Sequence, residues 1–160
     1  MAAAGVDERW CLGDLVGGEP VTAELLGAAR QLDLLIAGNH DTWALGPDRV
    51  VARGRDVFRL SSRAKASRHG IDCWHGSPRH PLLGFLTDAA AAKILPGRPV
   101  GSLGLVGHTH EAALFAYDGA ATRAVRPIPG ESYDWLATDA CMANPGALLG
   151  GAAPAENSPS

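Results

Sequence analysis

The sequence lacks the features that mark secreted and membrane-spanning proteins. Its three cysteines form no C-x-x-C pair and no even-numbered set, which argues against a disulfide framework and favours a reducing compartment. Residues 1–10 contain neither the basic nor the apolar segment of a signal peptide. No apolar run approaches the length of a membrane span. We therefore expect a cytoplasmic protein without a membrane partner.

An excess of positive charge is also missing. The formal net charge is −3 and the isoelectric point is near 6.0, so we expect no specific binding of nucleic acid. One stretch differs, because residues 49–68 contain seven basic side chains and a single acid, Asp56. A solvated face is the favoured interpretation of this stretch, and steering of an anionic substrate is the alternative.

The remaining composition is that of one globular domain. Of the 160 residues, 46% are hydrophobic, which is enough for a substantial core. We assign residues 1–149 to this domain. Residues 150–160, a stretch of Gly, Ala, Pro and Ser, are expected to form a disordered tail.

Short apolar runs that end in polar residues recur along the chain and predict buried strands. They cover residues 10–12, 32–37, 71–74 and 103–106. Further strands are predicted at 112–117 and 122–128, and helices at 21–32, 56–67 and 81–95. This alternation indicates an α/β fold, in which polar residues after the strands meet at one edge of a sheet.

The polar residues that follow the four buried runs suit a metal site. Carboxylate, amide and imidazole groups are ligands for divalent cations. For each residue alone, a turn, a surface position or a satisfied core histidine is a credible alternative. The predicted metal ligands are Asp14, Asn39, His75, His108 and His110.

His40 and Asp41 follow Asn39 directly and predict an acid–base function. On an extended segment, neighbouring side chains point to opposite sides, so Asn39 would face the metal and His40 the substrate. We therefore expect His40 to act as the general acid for the leaving group, with Asp41 helping to hold its charged form. By the same reasoning, His108 and His110 would share one side of an extended segment.

Together these motifs resemble the calcineurin-like metallophosphoesterase superfamily. They are Gly13-Asp14, then Gly38-Asn39-His40-Asp41, then His75-Gly76-Ser77-Pro78-Arg79, then Gly107-His108-Thr109-His110, and finally Asn144-Pro145-Gly146. The surrounding residues are most similar to its small bacterial, phosphodiesterase-like branch. The resemblance extends over residues 8–147.

The resemblance implies a four-layer α/β/β/α sandwich and a site for two metals. Asp14 would bridge the metals, Asn39, His75 and His108 would complete the second, and His110 would belong to the first. Manganese is the expected metal, with iron, zinc or nickel as alternatives. A metal-bound hydroxide would attack a phosphodiester while His40 assists the leaving group. For Arg79, contact with the phosphate and a solvated loop position are equally good interpretations.

The sequence departs from the family at both ends of the resemblance. The family begins with a strand ending in Asp-x-His, yet only 13 residues precede Asp14, and a strand–helix–strand unit needs about 30. We expect this first unit, and a C-terminal strand after Ala147, to be missing. The first metal would then keep only Asp14 and His110, and an exposed sheet edge would favour self-association.

The leading hypothesis is thus a metal-dependent phosphoesterase with a small phosphoester substrate. The alternative is a shortened relative with an incomplete dinuclear site, which is weakly active or serves as a non-catalytic metal-binding or interaction module.

Overall fold

A computed structural model describes residues 5–16, 22–45 and 63–147. The predicted tail at 150–160 and most of the basic stretch at 49–68 lie outside these ranges. Two sheets and three α-helices make up the described chain, in agreement with the predicted α/β class. No helix in these ranges is long and apolar enough to cross a membrane.

The smaller sheet pairs two short parallel strands, β1 (Trp10–Cys11) and β2 (Leu34–Leu35). Both lie within predicted strands and are shorter than predicted. Between them, helix α1 (Ala23–Ala29) begins after Thr22, whose hydroxyl accepts a hydrogen bond from the Leu25 N–H. Helix α2 (Asn39–Leu45) follows β2 after three residues.

The larger sheet has six strands. They are β3 (Lys65–Arg68), β4 (Ile71–Trp74), β5 (Ser102–Val106), β6 (Ala113–Tyr117), β7 (Thr122–Val125) and β8 (Ala140–Asn144). Their order is β3-β4-β5-β8-β6-β7, with β4, β5 and β8 parallel and the other pairings antiparallel. The predicted strands at 71–74, 103–106, 112–117 and 122–128 are confirmed with small changes in their ends. Among the described strands, β3 and β7 form the edges of this sheet, and self-association through an edge stays a prediction.

Two strands of this sheet were not predicted. Strand β8 is central, and its residues Cys141 and Met142 are fully buried between β5 and β6. Strand β3 occupies the end of the predicted helix 56–67, so that prediction is wrong over residues 65–67. His69 and Gly70 both have positive φ values, 51° and 76°, and a two-residue turn of this kind joins β3 to β4 as a hairpin.

Helix α3 (Asp88–Ile94) is shorter than the predicted helix 81–95. It begins after Thr87, whose hydroxyl accepts from the Ala90 N–H at 3.2 Å. Residues 81–83 instead form a turn, which the Gly84 N–H closes by donating to the His80 carbonyl at 2.9 Å, and residues 84–87 have no regular secondary structure. The helix contacts β6 and β7, and the core beneath it includes Leu86, Leu95 and Phe115.

Candidate metal centre

Asp14 follows β1 in a left-handed turn. Its φ is 56° and that of Gly13 is 101°. The carboxylate oxygen Oδ1 accepts a hydrogen bond from the His40 backbone N–H at 2.9 Å. The other oxygen, Oδ2, is buried and has no hydrogen-bond partner among the described residues. A buried carboxylate oxygen without a partner is costly, so this atom requires a cation or another donor.

Two glycines allow the loops after β1 and β2 to approach closely. A Cβ on Gly13 would lie 2.6 Å from both the Gly38 backbone nitrogen and His75 Nδ1. A Cβ on Gly38 would collide with the Asp14 carboxylate. These positions therefore have no room for any side chain, and the two loops carry Asp14 and Asn39 to the same place.

Asn39 and His40 lie in the first turn of α2. The prediction that their side chains point to opposite sides assumed an extended segment, and that assumption is wrong. Asn39 is buried, and its Oδ1 lies 2.9 Å from His75 Nε2. The His40 ring is half-buried and packs against Trp43, with 5.3 Å between ring centroids. Consecutive helical residues point about 100° apart, so Asn39 and His40 still address different neighbours.

Asp41 is 1% exposed, and both of its carboxylate oxygens accept backbone hydrogen bonds. The donors are the N–H groups of Val16 and Gly38, each at 2.8 Å. Burial raises the pKa of Asp41, and the two backbone donors oppose that shift. These contacts make Asp41 a positioning residue that joins the loop after β1 to the start of α2. Both contacts are with backbone groups, whereas the prediction was that Asp41 helps to hold the charged form of His40.

His75 is buried at the end of β4, and its two ring nitrogens have different partners. Nδ1 lies 2.7 Å from the Leu12 carbonyl oxygen, so this nitrogen carries a proton and donates it. In the neutral ring, Nε2 then has a free lone pair, yet it faces Asn39 Oδ1 and lies 3.3 Å from Asp14 Oδ2. Atoms that only accept hydrogen bonds do not attract one another. Their convergence fits a bound cation, and the Leu12 contact orients the ligand ring.

His108 and His110 follow β5 in left-handed conformations, with φ values of 67° and 60°, so the predicted extended segment is wrong. Asp14, His75 and His108 each offer a ligand atom within 4.8 Å of the others. His110 Nε2 lies 3.5 Å from Asp14 Oδ2, but its side chain is 48% exposed. Burial lowers the pKa of His108, which favours the neutral form that binds metals.

Asn144, at the end of β8, holds the loop that carries the two histidines. Its side-chain amide donates to the Gly107 carbonyl at 2.8 Å and to the Thr109 hydroxyl at 2.9 Å. The sequence marked Asn144 only as part of a turn. Its side chain is buried and therefore fixes the loop rigidly behind the metal ligands.

Other predicted and unpredicted residues lie around this cluster. Arg79 is exposed on the turn after His75, and its contact with phosphate stays a prediction. The sequence interpretation missed Phe85, whose ring stacks on His108 with 4.5 Å between centroids and 21° between planes. The predicted helix 81–95 gave no indication of this contact.

The described residues thus fit a divalent cation at Asp14, Asn39, His75 and His108, with His110 at the border. A search of solved structures finds similarity to the crystal structure of a metallophosphoesterase from Sphaerobacter thermophilus. The two chains are 28% identical with a TM-score of 0.72, and the match covers 91% of this chain and 67% of that one. No family model and no curated protein matches the sequence.

The fold is that of a metallophosphoesterase, and the candidate metal cluster agrees with it. This similarity supports the calcineurin-like superfamily that the sequence motifs predicted.

Proposed function

We propose that this protein is a metal-dependent hydrolase of phosphodiesters. The observation that carries the proposal is the convergence of Asp14, His75 and His108 around the unpartnered Asp14 Oδ2. A carboxylate and two neutral imidazoles suit manganese, iron, zinc or nickel, and we propose manganese as the working metal.

Asp14, Asn39, His75 and His108 would hold the metal, and His110 would contribute to a second, weaker site. When bound, the metal would neutralise charge on the phosphate oxygens and supply a nucleophile from water at neutral pH. The Leu12 carbonyl fixes the tautomer of His75, so its Nε2 remains available as a ligand.

We propose that His40 serves the leaving group. Its backbone N–H is fixed to Asp14 Oδ1, while its ring projects separately and packs against the exposed Trp43. The ring is half-buried and thus accessible from the surface. We propose that its protonated form donates to the departing alkoxide, as a general acid does.

The proposal is tested by hydrolysis of bis(4-nitrophenyl) phosphate in the presence and absence of Mn²⁺, together with metal analysis of the purified protein. We expect hydrolysis that requires the metal. His75→Ala should abolish both tight metal binding and hydrolysis, whereas His80→Ala, which changes an exposed histidine nearby, should affect neither. Metal-independent hydrolysis, or equal effects of the two variants, would refute the proposal.

A further inference from the structure

A cleft of about 560 Å³ opens beside the metal cluster. Its lining includes Thr109, which lies between the two histidines of the β5 loop, and Phe85, which stacks on one of them. The cleft therefore lies next to the loop that carries His108 and His110. The buried side chains of Leu86 and Phe115 also line it and give it apolar surface beside its polar and charged residues.

Phe85 is unusually placed for a large apolar residue. It is 58% exposed, yet one face of its ring is ordered against the His108 imidazole. Leu83, two residues earlier, is 55% exposed but does not line the cleft. Phe85 thus presents aromatic surface both to the metal cluster and to an opening large enough for a planar group.

The charges around the cleft favour an uncharged occupant. Asp88 and Glu111 carry two negative charges, against one positive charge on Arg126. Arg126 lies 3.5 Å from Asp88 and also rests 6.0 Å from the centre of the Phe115 ring, so both neighbours compete for its charge. A second phosphate or a carboxylate would meet net negative charge here.

We propose that this cleft binds an uncharged aromatic ester group of the substrate, with Phe85 as the specificity-determining residue. The inference rests on the proposed phosphodiesterase function. His40 serves the leaving group and packs against Trp43, whereas Phe85 packs against His108. The cleft therefore receives the ester group that stays on phosphorus. The substrate class is a phosphodiester with at least one aromatic, otherwise uncharged substituent.

Two substrates with the same leaving group test this assignment. The protein should hydrolyse 4-nitrophenyl phenyl phosphate with a kcat/KM about threefold to tenfold above that for 4-nitrophenyl methyl phosphate, a ratio expected for one aromatic stacking contact. Phe85→Ala should reduce that ratio to near one, and Phe85→Trp should retain it. Leu83→Ala, the matched control, should leave it unchanged. An unchanged ratio in Phe85→Ala would overturn the proposal.

Binding measurements separate this inference from the proposed function. Calorimetric titration of the Mn²⁺-loaded protein should show tighter binding of phenylphosphonate than of methylphosphonate, with the preference lost in Phe85→Ala. A preference without hydrolysis of any substrate would support the cleft and refute the proposed function. Hydrolysis without a preference would support the proposed function and refute the assignment of the cleft. Weaker Mn²⁺ binding in Phe85→Ala, with the substrate ratio intact, would show that Phe85 only supports His108.

The preference of the cleft for an uncharged group can be measured separately. A 4-carboxyphenyl group in place of phenyl should lower kcat/KM, and Glu111→Gln should recover part of that loss by removing one negative charge from the cleft. Equal rates for the charged and uncharged substrates would contradict the assigned occupant.

Discussion

His40 has two separate groups near the candidate metal site, its backbone N–H and its imidazole ring. Its backbone N–H holds Asp14 Oδ1, while its imidazole lies apart against Trp43. Substitution of the side chain therefore leaves the contact with the metal ligand intact. The two contributions of this residue can be separated by experiment.

His40→Ala should lower the Mn²⁺-dependent rate by about 10²–10⁴-fold, the usual cost of losing a general acid. Its metal content should remain that of the original protein, because the alanine backbone still donates to Asp14. Steady-state kinetics and metal analysis on the same preparation check both parts. If the metal content fell together with the rate, His40 would be a metal ligand instead of a general acid.

At this scale, the sequence predicted the residues whose chemistry is distinctive. Asp14, His75 and His108 stood out because carboxylate and imidazole groups followed buried strands, and they meet in the structure. The binding of Asp41 to backbone 25 residues away, and the stacking of Phe85 on His108, depend on loop conformation. Nothing in the residue types specifies those contacts.

The loops around Asp14 depend on close packing of backbone, which Gly38 allows. A methyl group at Gly38 would collide with the Asp14 carboxylate. Gly38→Ala should therefore displace a metal ligand and weaken Mn²⁺ binding by at least tenfold, or about 1.4 kcal/mol. Gly27→Ala is the matched control, since its Cβ would meet nothing within 4 Å. That change should instead stabilise α1 by about 0.5–1 kcal/mol. Calorimetry and urea unfolding measure the two effects, and equal Mn²⁺ affinities would contradict the first.

Glu8 connects the start of β1 to the β3–β4 hairpin. Its carboxylate accepts from Arg68 at 2.7 and 2.8 Å, from Trp10 Nε1 at 2.6 Å, and contacts His69 at 2.9 Å. The hydrogen bonds with Arg68, and then those with His69 and Trp10, hold the pKa of Glu8 far below its usual value of 4.5. The Glu8 carboxylate thus joins the two sheets, and it is negatively charged only above its folded-state pKa.

Glu8→Gln should consequently lower the melting temperature at neutral pH. A lowered folded pKa gives stability that is complete above the unfolded value and is lost progressively as the pH falls below it. The difference between variant and original protein should therefore be constant above pH 4.5 and shrink at lower pH. Thermal scans from pH 7 to pH 3 measure it, with the neighbouring Asp7→Asn as a control. A difference that grew on acidification would contradict this account.

Elements with a clear apolar pattern were predicted better than those defined by turns. Strands β4, β5 and β6 follow continuous apolar runs and appear close to their predicted ends. The basic residues before His69 suggested a helix, but the left-handed His69-Gly70 turn forces a hairpin and makes β3 a strand. Strand β8 was missed because its run of small apolar residues resembled a loop before Asn144.

In the whole molecule, the candidate metal ligands lie on segments that follow both sheets. Asp14 and Asn39 follow β1 and β2 of the small sheet, while His75 and His108 follow β4 and β5 of the large one. The site therefore exists only when the two sheets are correctly placed relative to each other. Because the unfolded chain has no such arrangement, metal binding must stabilise the folded protein.

Mn²⁺ should accordingly raise the melting temperature. At one hundred times the dissociation constant, binding adds about 2.7 kcal/mol, which corresponds to roughly 5–10 °C for a domain of this size. His75→Ala should remove the shift, whereas His110→Ala should retain most of it, since the half-exposed His110 lies at the border of the cluster. Thermal scans over a series of Mn²⁺ concentrations, with metal analysis of each variant, measure this difference. Loss of the whole shift in His110→Ala would mean that the border histidine, rather than the buried His75 and His108, sets the affinity.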